Sequence, residues 1–229
     1  MRAPISVVIP TLNTQSALET TLGPVYEGVQ AGLLHELILS DGGSIDDTAK
    51  IADAAGAVWV TGSPSRGGQI ARGIAAAQAD WILILHADTI LPVGWAGMCH
   101  AHMTRGQAGY FDLHFDHRGV MARIVERWVW FRSRKMGLPY GDQALFVSRE
   151  MLQDIGGYPE LPLMEDVTIA KRLAGKLVPL GGYVVTSAEK YRKRGWIAQG
   201  WRNLRLLLKF LRGADPQQLY DDYYTPPKG

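Results

Sequence analysis

Four carboxylates and two arginines stand where this sequence could do chemistry. Asp41 and Asp88 each follow an apolar run directly. Glu165 and Asp166 sit side by side just before an amphipathic stretch. Arg66 and Arg72 lie in or just after a Gly- and Ser-rich loop. A carboxylate at the end of a buried strand can hold a hard cation against a diphosphate, and arginines reach phosphate oxygens. A further carboxylate elsewhere suits a general base. Together these suit a nucleoside diphosphate and a proton transfer. Plainer readings stand beside these. Asp88 could cap a turn. Glu165 and Asp166 could simply favour the start of their helix through its dipole.

The elements that must position these groups alternate. Ile5–Ile9, Glu36–Leu39, Ala57–Thr61 and Trp81–Leu85 read as strands, the last buried on both faces. Between them lie a helix opened by a Ser16-x-x-Glu19 capping pattern, a helix opened by Ser44-x-x-Asp47, and an Ala-rich helix over Gln69–Gln78. Gly62–Gly68 reads as the intervening loop. Alternation of this kind predicts right-handed βαβ units and a parallel sheet, with ligands outside the carboxyl ends of the strands. No G-x-G-x-x-G follows the first strand, which argues against a dinucleotide-binding Rossmann domain.

Beyond Pro92 the pattern changes. Helices are expected over Trp95–Thr104, Gly119–Met136 and from Met164 to about Ala174, with strands over Gly109–Phe115, Ala144–Val147 and Leu177–Val185. Gly141-Asp142-Gln143 reads as a polar turn. Trp196–Leu211 reads as a helix with Ile197, Trp201, Leu204, Leu208 and Leu211 on one face, and no acid lies between Glu189 and Asp215. Two readings of this helix stand open. It lies on an anionic membrane surface, or its apolar face packs back on the domain or on a second copy in a homodimer. The second is the expectation, because most amphipathic helices face a core. Asp221–Gly229 reads as a poorly ordered tail.

Composition narrows the field. The 229 residues carry a net charge of only +2, and no basic-plus-aromatic module for nucleic acid is recognisable. The single Cys99 excludes an internal disulfide and fits a reducing, cytoplasmic compartment; as a lone thiol in a helix it reads as packing. No signal peptide is visible before the first strand, and no apolar run is long enough to span a bilayer. The inner membrane face stays open as a place of contact through residues 190–212.

The ordered set Val7-Val8-Ile9-Pro10-Thr11-Leu12-Asn13, Asp41-Gly42-Gly43-Ser44, Arg72-Gly73, Leu85-His86-Ala87-Asp88 and Met164-Glu165-Asp166 resembles the motifs of family 2 glycosyltransferases. Leu85–Thr89 with Gly67-Gly68-Gln69 is most similar to a bacterial subgroup associated with arsenosugar biosynthesis. The resemblance spans roughly residues 5–186. It implies an α/β GT-A fold, Rossmann-like, with a mostly parallel central sheet flanked by helices and a C-terminal amphipathic helical extension. It divides the chain into a GT-A domain over 1–188, with a nucleotide-binding half (1–92) and an acceptor half (93–188), and a basic extension over 189–229.

The resemblance also implies roles. Pro10, Thr11, Asn13, Asp41, Arg66, Arg72 and His86 would bind the donor nucleotide, Asp41 accepting a hydrogen bond from the base. Asp88 would hold a divalent ion, Mn2+ or Mg2+, that bridges the diphosphate. Asp166 would be the base, with Glu165 beside it, and Asp142 and Gln143 would meet donor sugar and acceptor. The partners implied are a UDP- or GDP-linked sugar and a hydroxyl acceptor, and the reaction would invert the anomeric centre. His86 departs from the family's Asp-x-Asp pattern: imidazole suits Mn2+ better than Mg2+. The rival readings are a nucleotidyltransferase and a non-catalytic nucleotide-sugar-binding protein.

Overall fold

The computed structural model describes residues 3–224. The first half is built as the alternation predicts. Strands β1 (Ile5–Thr11), β2 (Leu34–Asp41), β3 (Val58–Thr61) and β4 (Trp81–Ile84) pair in parallel in the order β3-β2-β1-β4. Helices α1 (Gln15–Gln30), α2 (Thr48–Ala54) and α3 (Arg66–Ala76) connect them.

The second half turns the sheet. It contains β5 (Thr89–Ile90), α4 (Trp95–His102), β6 (Ala108–Phe115), α5 (Val120–Lys135), β7 (Leu145–Ser148), α6 (Arg149–Asp154), α7 (Glu165–Arg172) and β8 (Leu177–Thr186). All eight strands form one sheet, β3-β2-β1-β4-β7-β6-β8-β5. β7 is antiparallel to both β4 and β6, and β5 is antiparallel to β8. β4 is central and β5 is at the edge, yet only Leu85–Asp88 separate them. Five extended residues reach at most about 18 Å. The sheet therefore curls, bringing the end of β8 back beside the end of β4. The short β5, which the sequence reading did not anticipate, marks that closure.

Three helices complete the chain: α8 (Glu189–Arg194), α9 (Trp196–Leu211) and α10 (Pro216–Tyr224). The expected tail is helical up to Tyr224; residues 225–229 lie outside the described residues. Leu206, Leu207 and Leu219 are buried against Leu163, Val167 and Ala170 on and before α7. Burying each such leucine contributes about 2 kcal/mol, so the extension docks firmly rather than trailing away. Among the described residues no helix is long and apolar enough to cross a membrane. Cys99 is fully buried in the core, as expected for packing, and burial pushes its thiol up.

Three local expectations are corrected. α1 begins at Gln15, and its cap residue Thr14 makes no side-chain cap bond; the β2–α2 loop satisfies this end instead, with Gln15 N donating to Asp46 at 3.0 Å and Thr14 N to Thr48 at 3.1 Å. Ser44 does not cap α2. Its hydroxyl is spent on Asp41 and on the Asn13 N–H. α3 starts three residues earlier than expected, because Ser65 caps it by accepting from Gly68 N.

A larger correction concerns α9, and α5 shares the pattern. The apolar stripe of α9 does not pack back on the domain. Ile197, Trp201, Leu208 and Leu211 are exposed, while the buried positions include Gln199, Leu206 and Leu207. On α5, Ile124, Trp128 and Phe131 are exposed, while Glu126, Arg132 and Ser133 are buried.

Candidate active site

The curl leaves a cavity of about 160 Å³ at the carboxyl ends of the strands. From the β4–β5 link come His86 and Asp88, from the α5–β7 turn Asp142, from the start of α7 Asp166, and from the start of α3 Arg66. The extension roofs it: Lys190 and Tyr191 on α8, and Gln199, Asn203 and Leu206 on α9, complete the lining.

Backbone strain aims two of these groups. Met164, just before Glu165, has φ +64°, and Ala144, just after the Asp142 turn, has φ +51°. Left-handed conformations cost a non-glycine residue about 1–2 kcal/mol, so the surrounding packing holds both in place. Asp166 then accepts from Gly141 N at 3.3 Å and from Val167 N at 2.7 Å. The α7 helix end is thereby fastened to the Asp142 turn.

Behind that turn sits a buried cation. Arg132 is 1% exposed, lies 3.1 Å from the Tyr140 ring centroid and donates to Gln143 Oε1 at 3.3 Å. Gln143 Oε1 also accepts from Ser133 and from Tyr140 N, and its amide donates to Phe111 O. Gln143 is fully buried with both ends of its amide engaged. It shapes the turn and does not line the cavity. Asp142 does line the cavity. Burial pushes its carboxyl up to about 6, Arg132 pulls it back, and Asp166 and Asp88 add to the rise.

His86 packs against the same turn. A β-carbon on Gly141 would fall 2.4 Å from its Nε2, so only glycine leaves room for the ring. Burial, then Arg66 and Lys190, hold the imidazole well below its ordinary value, and it is neutral. Its Nε2 is shielded without a hydrogen-bond partner among the described residues.

Glu165 lies behind the lining rather than in it. It is 1% exposed, and its Oε1 is 3.5 Å from Arg66 Nη1. Burial raises it to about 7; Arg66 opposes the rise and Asp166 adds to it. Gly67 makes this pairing attainable: a β-carbon there would meet Pro159 O at 2.4 Å, and Gly67 N instead donates to Leu161 O at 3.1 Å. Glu165 thus faces Arg66 and not the cavity.

The remaining expected donor residues gather at the ends of β1 and β2, away from this lining. Pro10 and Thr11 end β1, and Asn13 Oδ1 accepts from Ile45 N at 2.9 Å. Asp41 accepts four hydrogen bonds, from Thr11 Oγ1, Ser44 Oγ, Gly43 N and Ser44 N. Burial would raise this carboxyl, but the Ser44, Gly43 and Thr11 bonds outweigh it and the value is lowered. A carboxylate has about four acceptor sites. All four are taken in this structure, and the bonds lock the rim. Arg72 donates to Ser63 O at 3.1 Å and to Asp41 O at 3.4 Å, tying β2 to the following loop rather than facing the cavity.

Sequence reasoning missed Lys190, Tyr191, Gln199 and Asn203. Gln199 donates to Asn203 at 2.8 Å, and Asn203 to Tyr191 at 3.2 Å, a polar chain across the roof. The signal was present as Gln199, Asn203 and Leu206 at helical spacing opposite the apolar stripe, but that face read as solvated.

Among the described residues no three His, Cys, Asp or Glu side chains form a ready metal cage. Even so, Asp88, Asp142 and Asp166 converge on one cavity, and Asp142 Oδ1 is shielded and without a partner. The field of Asp166 and Asp88 that raises the proton affinity of Asp142 also favours a cation there. The donor set fits a divalent ion that completes its shell with ligand oxygens.

The glycosyl transferase family 2 model matches residues 6–148. The chain belongs to that family. Glucosyl-3-phosphoglycerate synthase of Mycobacterium tuberculosis (strain ATCC 25618 / H37Rv) is 35% identical to this glycosyltransferase over 97 residues, 38% of this chain and 30% of the relative. The match thus spans less than a third of the synthase's length. An uncharacterized glycosyltransferase of the same strain is 28% identical over 173 residues, 68% of this chain and 75% of the relative. The crystal structure of the synthase with Mn2+, uridine-diphosphate-glucose and phosphoglyceric acid aligns at a TM-score of 0.57 and 25% identity, covering 80% of this chain and 71% of that one. The GT-A architecture expected from the sequence is the one observed.

Proposed function

We propose that this family 2 glycosyltransferase moves a hexose from a UDP-linked donor to a hydroxyl acceptor with inversion, assisted by Mn2+. The observation that carries the reading is the meeting of Asp88, Asp142 and Asp166 in one cavity with Arg66 and Lys190. The bound UDP-glucose and Mn2+ of the related synthase support the donor and the metal. In this reading residues 1–92 hold the donor, 93–188 the acceptor, and the extension from 189 closes the site.

Each group then has a task. Asp88, with Asp142 next to it, would hold Mn2+, which when bound neutralises charge on the departing diphosphate. Lys190 and Arg66 add positive charge at the same cavity. Asp166, fixed by Gly141 N and Val167 N, takes the acceptor proton, and the hydroxyl attacks the anomeric carbon opposite the leaving group. Pro10, Thr11 and Asn13 border the nucleoside as rim backbone and side chain; Asp41 and Arg72 keep that rim in shape. A nucleotidyltransferase does not need the Asp166–Gly141 arrangement, and a purely binding protein needs no base.

Calorimetric titration with UDP, GDP and their glucose conjugates, each with and without Mn2+, tests this. The reading expects UDP binding at least tenfold tighter with Mn2+, and loss of that gain in Asp88→Asn. Metal-independent binding of equal strength in both proteins would remove the metal role. No nucleotide binding by folded protein would remove the reading itself.

A further inference from the structure

We propose that the outward faces of α5 and α9 form a docking surface for an anionic lipid bilayer. Both helices bury polar side chains beside apolar ones such as Val129, Leu206 and Leu207, and leave a second apolar stripe outside. α9 turns Gln199 and Asn203 toward the cavity and leaves Ile197 77% and Trp201 67% exposed, with Leu208 and Leu211 continuing the stripe. α5 buries Glu126, Arg132 and Ser133 and leaves Val120 78% exposed, with Ile124, Trp128 and Phe131 following at helical spacing. The Trp128 and Phe131 rings stack with centroids 6.0 Å apart. The two helices are packed against one another. Soluble domains seldom leave contiguous aliphatic and aromatic stripes facing water without a partner.

Charge selects the partner. Arg127, Lys135, Arg205 and Arg212 are exposed on these same helices, and the sequence from Lys190 to Ala214 contains no acid. A helix with aliphatic residues and Trp along one stripe and arginines beside it suits the plane of a headgroup layer. Anionic lipid neutralises the arginines, and the stripe enters the acyl boundary. A second copy fits less well. In a two-fold interface the same patch meets itself, which would set these arginines against their own images. The aliphatic stripe likewise offers nothing to a nucleic acid backbone. With no helix among the described residues able to cross a membrane, the contact is peripheral. It does not depend on the transferase reading, although α9 alone would separate the bilayer from the cavity, a helix diameter of about 10 Å.

Co-sedimentation of the full chain with vesicles of phosphatidylcholine, alone or with about one-third phosphatidylglycerol, tests the proposal. Binding should require the anionic lipid and weaken steeply when salt is raised to half molar. Ile197→Ser with Trp201→Ser should weaken it at least tenfold. Arg205→Glu with Arg212→Glu should weaken it by more than the roughly fivefold expected per basic residue removed. All four positions are surface ones, so melting curves should match the parent and show that the variants fold. Equal binding to neutral vesicles, or no effect of either double variant, would overturn the proposal. So would a lipid-free dimer, seen by analytical ultracentrifugation, that Trp201→Ser dissociates, because the face would then belong to a second copy.

Discussion

Arg66 and Glu165 face one another across 3.5 Å, one from the first residue of α3 and the other from the first residue of α7. The pair joins the parallel first half of the sheet to the half that carries Asp166. The carboxylate is buried and has no hydrogen-bond partner among the described residues, while the arginine remains about a third exposed. A buried, incompletely paired carboxylate is costly to stability, which is consistent with a group kept for positioning.

Glu165→Gln should therefore stabilise the protein at alkaline pH. Glu165 is raised from its ordinary 4.5 to about 7, so the unfolded chain gives up this proton at lower pH than the folded one. Its contribution is harmless below pH 4.5, turns unfavourable as pH climbs to about 7, and is constant above. The penalty is about 3 kcal/mol, the pull of Arg66 already included. Thermal melts at pH 5 and pH 8 should show a gain of roughly 6–12 °C at pH 8 and little at pH 5. A lower melting temperature at pH 8 would mean that the ion pair outweighs the burial.

Gly141→Ala should damage both stability and turnover. The new methyl would sit 2.4 Å from His86 Nε2, so the ring or the Asp142 turn must move. Overpacking of this kind costs about 1–3 kcal/mol. Adding His86→Ala to Gly141→Ala should recover part of the loss, read as a non-additive double-mutant cycle in denaturant titrations.

Lys190→Ala should lower kcat/KM by about ten- to a hundredfold, the range for one charge-assisted hydrogen bond. Lys190→Arg should restore much of it. Initial rates with UDP-glucose at several salt concentrations would show this, and an unchanged rate in the alanine variant would place the lysine outside the reaction.

Much of this was legible in the sequence. β1 through β4 were visible because strands of a parallel sheet, buried on both faces, carry unbroken apolar runs such as Ile82–Leu85. Asp88 and Asp166 could be singled out because strand ends and helix starts are where ligands meet this architecture, and Asp142 because the family resemblance marked its turn; all three line the one cavity. What stayed hidden was set by distant neighbours. Whether Asp41 is free or spent depends on four donors from three other residues. Glu165 looks like a partner of Asp166 until the loop through Leu161 brings Arg66 against it. α9 misled for the plainest reason: hydrophobic periodicity reveals a stripe but not the direction it faces. Here Gln199 and Asn203 face a cavity, and Ile197 and Trp201 face outward.

The central claim is that Asp166 is the base of a glycosyl transfer, and one comparison tests it most directly. UDP release from UDP-glucose with Mn2+ would be measured for the parent and for Asp166→Asn across a panel of hydroxyl acceptors, with UDP affinity taken by calorimetry on the same samples. The amide keeps an acceptor for only one of Gly141 N and Val167 N, its NH2 replacing the oxygen that serves the other, and it cannot take a proton. The expected result is a fall in kcat of at least a thousandfold with UDP affinity unchanged within about threefold. Turnover in Asp166→Asn within tenfold of the parent would contradict the assignment of the base.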